Sequence, residues 1–500
     1  MIKKINLIFL TTLLFIIFIE ILFLISWKLS GSKYFENRKN NIDRIERTTD
    51  IKFNLLDTKS KHNKTIALFG GSTIRGFGSA VNIEELIYNK NFLSENYFLY
   101  SNFSKYGHSF SGHQYKILKQ VINDYDLFFL YSAHNEWRMV HKFLDSEKKG
   151  IKTFPNGMSI GTKNSVNPTN EEIKNYIKEH TLDYNFFENI LINYKLYSRI
   201  YFFSVRVANR INFFNFTKKA EDKKDLIIKQ FIFSENLFNS KMKEQIVNHY
   251  KESIFDIIKS LTKDQKLVIS TVLSNDLFNP FGDYNISNKD ENNIKLAYEK
   301  LDENNFLDLE IITNKLQDGS NKFYLLGRIC LDRFGYKINS DSSKCFELLK
   351  KARGKDTMPF RVLPEINDFI RSLSKLKNLN VEVIDLEKEF LKKVESEEDY
   401  LSYFVDFHHL SPKGHLLLSK LLFEKLNITS KNVDLDKLNT DRCGSVKIIN
   451  EQKNVEKNLI DVPFERCKWT LLTTQRLLKS HMRYQKYVYY YKYFLNKSLF

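Results

Sequence analysis

The chain is poor in the residues that punctuate or staple a fold: of 500 residues, 7 are proline, 17 glycine and 4 cysteine. The four cysteines lack the doubled C-x-x-C spacing of a zinc site, and the 11 histidines form no H-E-x-x-H pair one helical turn apart. No catalytic metal and no other cofactor is therefore expected. Long apolar runs are scarce too. Only Leu7 to Ile25 reaches the roughly 20 residues needed to cross a bilayer. The net charge of +17 is spread along a chain rich in lysine, asparagine, isoleucine, phenylalanine and tyrosine, so it does not single out nucleic acid as a partner.

Against this background, the pair Gly70-Gly71 stands out. Thr65 to Phe69 reads as a short buried strand that runs into Gly70-Gly71-Ser72-Thr73, which puts Ser72 on a sharp turn with a helix opening from Thr73. Glycine and serine are also ordinary turn residues, so this segment alone says little. More than three hundred residues later, Asp406-Phe407-His408-His409 offers an imidazole and a carboxylate. A serine hydroxyl needs both: a base to take its proton and an acid to hold that base in the right tautomer.

Two further strands carry suitable residues at their ends. Phe98 to Phe103 leads to Gly107, whose backbone amide can face an oxygen, and Asp126 to Tyr131 leads to Asn135, whose amide donates without carrying charge. Backbone amides of Ser72 and Gly107 with the Asn135 side chain would form a three-donor oxyanion hole, each donor worth about 3 kcal/mol of barrier. Apolar runs at Leu267 to Leu273 and Val381 to Leu386 bring the strands to five. Alternation with helical stretches predicts an α/β fold with a parallel sheet, in which ligands bind beyond the carboxyl ends of the strands.

In their order and strand context, Ser72, Gly107, Asn135 and His409, with Asp406 three residues before the histidine, resemble the SGNH or GDSL-like serine hydrolase superfamily. The resemblance implies a three-layer α/β/α sandwich around about five parallel strands. It also implies catalysis by Ser72, His409 and Asp406, with an oxyanion hole of Ser72, Gly107 and Asn135. The chain departs from the family pattern at Gly71, where aspartate is usual, and at Ala133, where glycine is usual. His408 competes with His409 for the base, and the D-x-x-H spacing favours His409; His408 and His415 are expected to pack or to start a helix. Asn275, beyond the fourth strand, and Arg361 are offered as substrate contacts, against capping and a structural ion pair respectively. An arginine is similarly placed in membrane-anchored relatives.

Five hundred residues exceed one minimal sandwich, so insertions are expected. The predicted organisation is a transmembrane signal anchor at 1–28, a linker at 29–60 and a hydrolase-like domain at 61–428. Helical insertions interrupt that domain at 146–262 and 281–377, and a basic, aromatic extension follows at 429–500. Residues 323–353 resemble one tetratricopeptide-like hairpin, too little for a solenoid and suited to capping the catalytic domain. Cys330 with Cys345, and Cys443 with Cys467, form local pairs that an exported domain can oxidise, among three connectivities. Lys3 and Lys4 before the apolar run place the catalytic domain on the extracytoplasmic, periplasmic side of the membrane. Glu20 within the run implies a partner helix or interfacial placement. The C-terminal arginines, lysines and tyrosines suit an anionic membrane surface or packing on the body of the protein.

Together these readings predict a membrane-anchored serine esterase acting on an acyl or acetyl ester of a cell-envelope glycan or lipid. The alternatives are an O-acyltransferase using the same residues, or a catalytically silent membrane scaffold.

Overall fold

The computed structural model describes residues 64–76, 98–104, 107–139, 239–280, 282–283, 288–357, 360–376, 380–426, 438–440, 446–450 and 455–460, with isolated positions between 11 and 25, 83 and 86, and 170 and 174. The chain divides into two compact units, one of residues 1–60 with 181–226 and one of residues 61–180 with 227–500. In the first unit, the described positions between 11 and 25 are helical, with Leu14, Phe15, Phe18 and Leu22 exposed and Glu20 partly buried. Among the described residues, no helix is long and apolar enough to cross a membrane. The linker at 29–60, Cys443, Cys467, the basic tail beyond 460 and most of the first insertion lie outside the described residues.

The second unit is built on five parallel strands. These are β1 (Lys64–Gly70), β2 (Phe98–Asn102), β3 (Leu127–Tyr131), β4 (Lys266–Ser270) and β5 (Val381–Ile384), in the spatial order β2-β1-β3-β4-β5. Apolar runs without alternation are what a parallel sheet covered on both faces selects, and Ile66 to Phe69 and Leu127 to Tyr131 are all buried. The order reverses between β1 and β3. This is the point at which such sheets open a crevice beyond their carboxyl ends.

After β2, a π-helical turn (Phe110–Gln114) leads into α1 (Tyr115–Val121), and a 3-10 turn (Glu136–Met139) follows β3. Helix α2 (Ser240–Ser260) is capped by the Asn239 side chain, which accepts from the Met242 amide. Its residues fall in the stretch read from the sequence as the end of an insertion, yet α2 is the crossover into β4. It buries Ile246, Tyr250, Ile254 and Ile257, and the Tyr250 hydroxyl donates to the Ser132 carbonyl just past β3.

Between β4 and β5 come α3 (Asn288–Asp302), α4 (Phe306–Asn314), α5 (Ser320–Phe334), α6 (Ser340–Lys355) and α7 (Pro364–Leu373). The expected hairpin is the pair α5 and α6, linked by a Cys330–Cys345 disulfide with Cα atoms 5.3 Å apart. A Cβ at Gly327 would come within 2.6 Å of Leu349, so a side chain there would force the two helices apart. Gly335 ends α5 at φ +75°, and an asparagine capping box at Asn339 starts α6. The insertion is larger than one hairpin: the preceding pair α3 and α4 packs onto α5.

After β5 follow α8 (Leu386–Leu391), α9 (Glu397–Ser402) and α10 (Pro412–Lys425), the last with Pro412 in its first turn and Ser411 capping the Gly414 amide. Helix α10 is followed by a small antiparallel sheet of β6 (Leu438–Thr440), β7 (Val446–Asn450) and β8 (Val455–Ile460), which the sequence reading did not foresee.

Candidate active site

Ser72 follows β1 in a turn closed by a bond from the Gly76 amide to the Thr73 carbonyl, with Gly76 at φ +78°. The Arg75 amide adds a bond to the Gly71 carbonyl; of the helix expected from Thr73 onward, Ile83 and Leu86 are the positions described up to residue 97 beyond this turn, and both are helical. Gly70 and Gly71 are required by their surroundings: a Cβ on Gly70 would lie 2.3 Å from Ile74, and one on Gly71 would lie 2.8 Å from Nδ2 of Asn135. The missing side chain at 71 thus lets the Asn135 amide lie against the turn that carries Ser72.

Ser72 Oγ lies 2.7 Å from Nε2 of His409, and His409 Nδ1 lies 2.6 Å from Oδ2 of Asp406. Residues separated by 337 positions in sequence meet at hydrogen-bond distance. All three are nearly or wholly buried. The other Asp406 oxygen, Oδ1, accepts from the backbone amides of His408 and His409, at 2.9 and 2.8 Å. Burial alone would raise the Asp406 pKa. The neighbouring His409, His408 and these amides outweigh it and hold the carboxyl well below the usual carboxylate range. An ionised Asp406 requires a proton on Nδ1 of His409, which leaves Nε2 as the acceptor facing the Ser72 hydroxyl.

Beyond β3, Asn135 is buried, and its Nδ2 donates to the His108 carbonyl at 3.1 Å. Gly107 takes φ +74°, a conformation other residues rarely adopt, and turns the chain into that carbonyl. Next to Asn135, Glu136 ties the segment after β3 to the segment after Gly107. It accepts from the Phe110 amide at 2.6 Å and from both the amide and hydroxyl of Ser111. Burial pushes its pKa up to about 7, against the opposing pull of those three donors. The sequence reading missed Glu136, although an acid placed between Asn135 and Trp137 at the end of an apolar strand was the available signal.

It is His409, not His408, whose ring nitrogen meets Ser72. The His408 ring lies between those of His134 and His409, with centroids 4.5 and 3.9 Å away. Burial pushes the pKa of His134 down to about 3 despite the bond between its Nε2 and the Leu273 carbonyl, and His415 falls to about 3 for the same first reason, with neither of its ring nitrogens hydrogen-bonded. Both stay neutral at pH 7. Asp406, His408 and His409 bring metal-ligating atoms within 4.8 Å of one another. Two of those atoms face each other at 2.6 Å, and the remaining nitrogen of His409 faces Ser72.

The two residues offered as substrate contacts are committed to the protein instead. Arg361 is buried and donates to the carbonyls of Asn275 and Phe278, at 3.2 and 2.8 Å, and to Asp356 at 3.2 Å. Asn275 is fully buried against the loop that carries Asp406. Nearby, Arg353 of α6 bridges Asp276 and Glu387. Burial would raise Glu387, but Arg353 and Arg371 hold it down at about 2.

No protein-family model matches the chain, and neither a curated protein nor a solved structure matches it.

Proposed function

We propose that this chain is a membrane-anchored serine esterase of the SGNH type. In this reading the five-stranded α/β core is a three-layer sandwich. The apolar run from Leu7 to Ile25 anchors the catalytic domain on the extracytoplasmic side, with Glu20 at the interface or against a partner helix. The substrate is an acyl or acetyl ester of a cell-envelope glycan or lipid. One observation carries the proposal: the Ser72, His409 and Asp406 relay, with bonds of 2.7 and 2.6 Å, at the switch point of a parallel sheet.

The chemistry follows from that geometry. Ser72 Oγ attacks the ester carbonyl carbon as its proton passes to His409 Nε2, and Asp406 stabilises the imidazolium that forms. The carbonyl oxygen becomes an oxyanion facing the Ser72 and Gly107 amides and the Asn135 side chain. Collapse breaks the ester bond, and the leaving alcohol takes the proton from His409. Water then attacks the acyl-enzyme with His409 as base, releasing the acid and restoring Ser72.

The test is a fluorophosphonate, which phosphonylates an activated serine. On the full-length protein in detergent, the adduct is expected at Ser72, mapped by mass spectrometry, and is expected to vanish in His409→Ala. A folded wild-type protein without an adduct would refute the proposal.

A further inference from the structure

Beyond Ser270 the strand ladder of β4 gives way to side chains and loops, and this connection joins the helical insertion to the acid and base. The Val272 amide donates to Asn367 Oδ1, the Leu273 amide to the Tyr131 hydroxyl, and the Asn275 amide to the Phe407 carbonyl at 3.0 Å. Asn275 then reaches the neighbouring residue as well, its Nδ2 donating to the Asp406 carbonyl at 3.2 Å. Its Oδ1 accepts from the Leu277 amide, and its carbonyl accepts from Arg361. One fully buried residue therefore holds the carbonyls of both Asp406 and Phe407.

Those carbonyls orient the peptide planes that lead from the acid to the base. On the other side of the same loop, the Asp406 carboxylate accepts the amides of His408 and His409. The backbone of 406–409 is thus clamped from outside by Asn275 and from inside by Asp406 itself. The 2.6 Å contact between Asp406 and His409 is made within that clamped segment. An amide side chain suits the task because it donates to the Asp406 carbonyl, beside the backbone bond to Phe407, without introducing a cation that would compete with His409 for the carboxylate.

We propose that Asn275 is a positioning residue for the acid–base pair, and that Arg361 transmits the placement of the helical insertion to it. This inference rests on the serine-hydrolase reading. Asn275 acts through Asp406 and His409 and does not touch the reacting atoms. A shift of about 1 Å in such a support costs on the order of 100-fold in rate.

Asn367 supplies the control. It is equally buried, and it holds Val272 through both side-chain atoms, but it makes no bond to the 406–409 loop. The experiment compares full-length wild type, Asn275→Ala and Asn367→Ala. It reads the rate of fluorophosphonate labelling at Ser72 in the folded fraction, and the low-field proton resonance of the bond between His409 Nδ1 and Asp406. Asn275→Ala is expected to label 10- to 100-fold more slowly and to shift or lose that resonance. Asn367→Ala is expected to lower the melting temperature while keeping both the rate and the resonance. Asn275→Asp keeps the volume and the acceptor for Leu277, and at pH 9 its ionised carboxylate faces the Asp406 carbonyl in place of a donor. The same two changes are expected there if the alanine variant does not fold. Labelling of a folded Asn275 variant within threefold of wild type, or slower labelling with an unmoved resonance, overturns the inference and leaves the hydrolase reading intact. Absence of wild-type labelling overturns both.

Discussion

Replacing Asp406 by asparagine tests the relay most directly, because the change is nearly isosteric and the structure dictates its consequence. Oδ1 keeps its two backbone donors, the His408 and His409 amides, so the loop retains its local bonds. Oδ2, 2.6 Å from His409 Nδ1, is the atom that suffers. An amide nitrogen there sets donor against donor, and the imidazole escapes only by moving its proton to Nε2, where it no longer accepts from Ser72. The lost charge can be sized separately. Opposite unit charges about 4 Å apart attract by about 4 kcal/mol at an effective dielectric constant near 20, which stabilises the imidazolium by roughly a factor of 10³. Wrong tautomer and lost charge together predict a fall of about 10³ to 10⁴ in the rate of Ser72 labelling. The assay is the second-order labelling rate, measured on protein whose melting curve matches wild type. A rate within tenfold of wild type would refute the role assigned to Asp406.

Gly71→Ala is expected to push the Asn135 amide away from the nucleophile turn, since the added methyl would sit 2.8 Å from it; turnover of a chromogenic acetyl ester should fall about 10²- to 10³-fold, and an unchanged rate would remove Asn135 from the oxyanion hole. Glu136 titrates near 7 in the fold against 4.5 as its ordinary value, so the folded state binds the extra proton and the associated stability is full below pH 4.5 and lost as pH rises towards 7. That window is worth about 3 kcal/mol, so urea unfolding of Glu136→Gln should lose less stability than wild type between pH 5 and 8 by roughly that amount; parallel curves would contradict it. Replacing Cys330 and Cys345 together by alanine opens a loop with a sequence separation of 15, and unfolding should become easier by about 3 kcal/mol; an unchanged midpoint would mean that the hairpin is held by packing alone.

The strands were legible because a doubly covered parallel strand leaves a plain mark. Phe128 and Phe129 are buried on opposite faces of β3, and no polar position interrupts the run. The reading went wrong where side chains replace the ladder. Val272 and Leu273 continue the apolar run of β4, but their amides pair with Asn367 and Tyr131, and the strand ends at Ser270. Helix α3 lies in the stretch read as a helical insertion but was not singled out within it, for a different reason. It buries Ala297, Tyr298 and Leu301 among many lysines, asparagines and acids, so its apolar face is narrow, and it is held by α4. Strands β6 to β8 are short and pair only with one another, so each one alone carries little pattern.

The site shows the same division between local marks and long-range commitments. Ser72 and Asn135 each follow a recognisable strand and His409 precedes α10, and it was the order of serine, glycine, amide and D-x-x-H along the chain, not one segment alone, that marked them. Asn275 was offered as a substrate contact because it lies beyond a strand at the rim of an open sheet, against a capping role, and Arg361 by resemblance to a similarly placed arginine, against a structural ion pair. What decides otherwise is the loop that comes back 131 residues later to put the Asp406 carbonyl against the Asn275 amide. Arg361 likewise finds three acceptors inside the protein, on Asn275, Phe278 and Asp356. Turning that guanidinium towards a substrate anion would give up its bond to the Asn275 carbonyl, and with it part of the support of the acid–base loop.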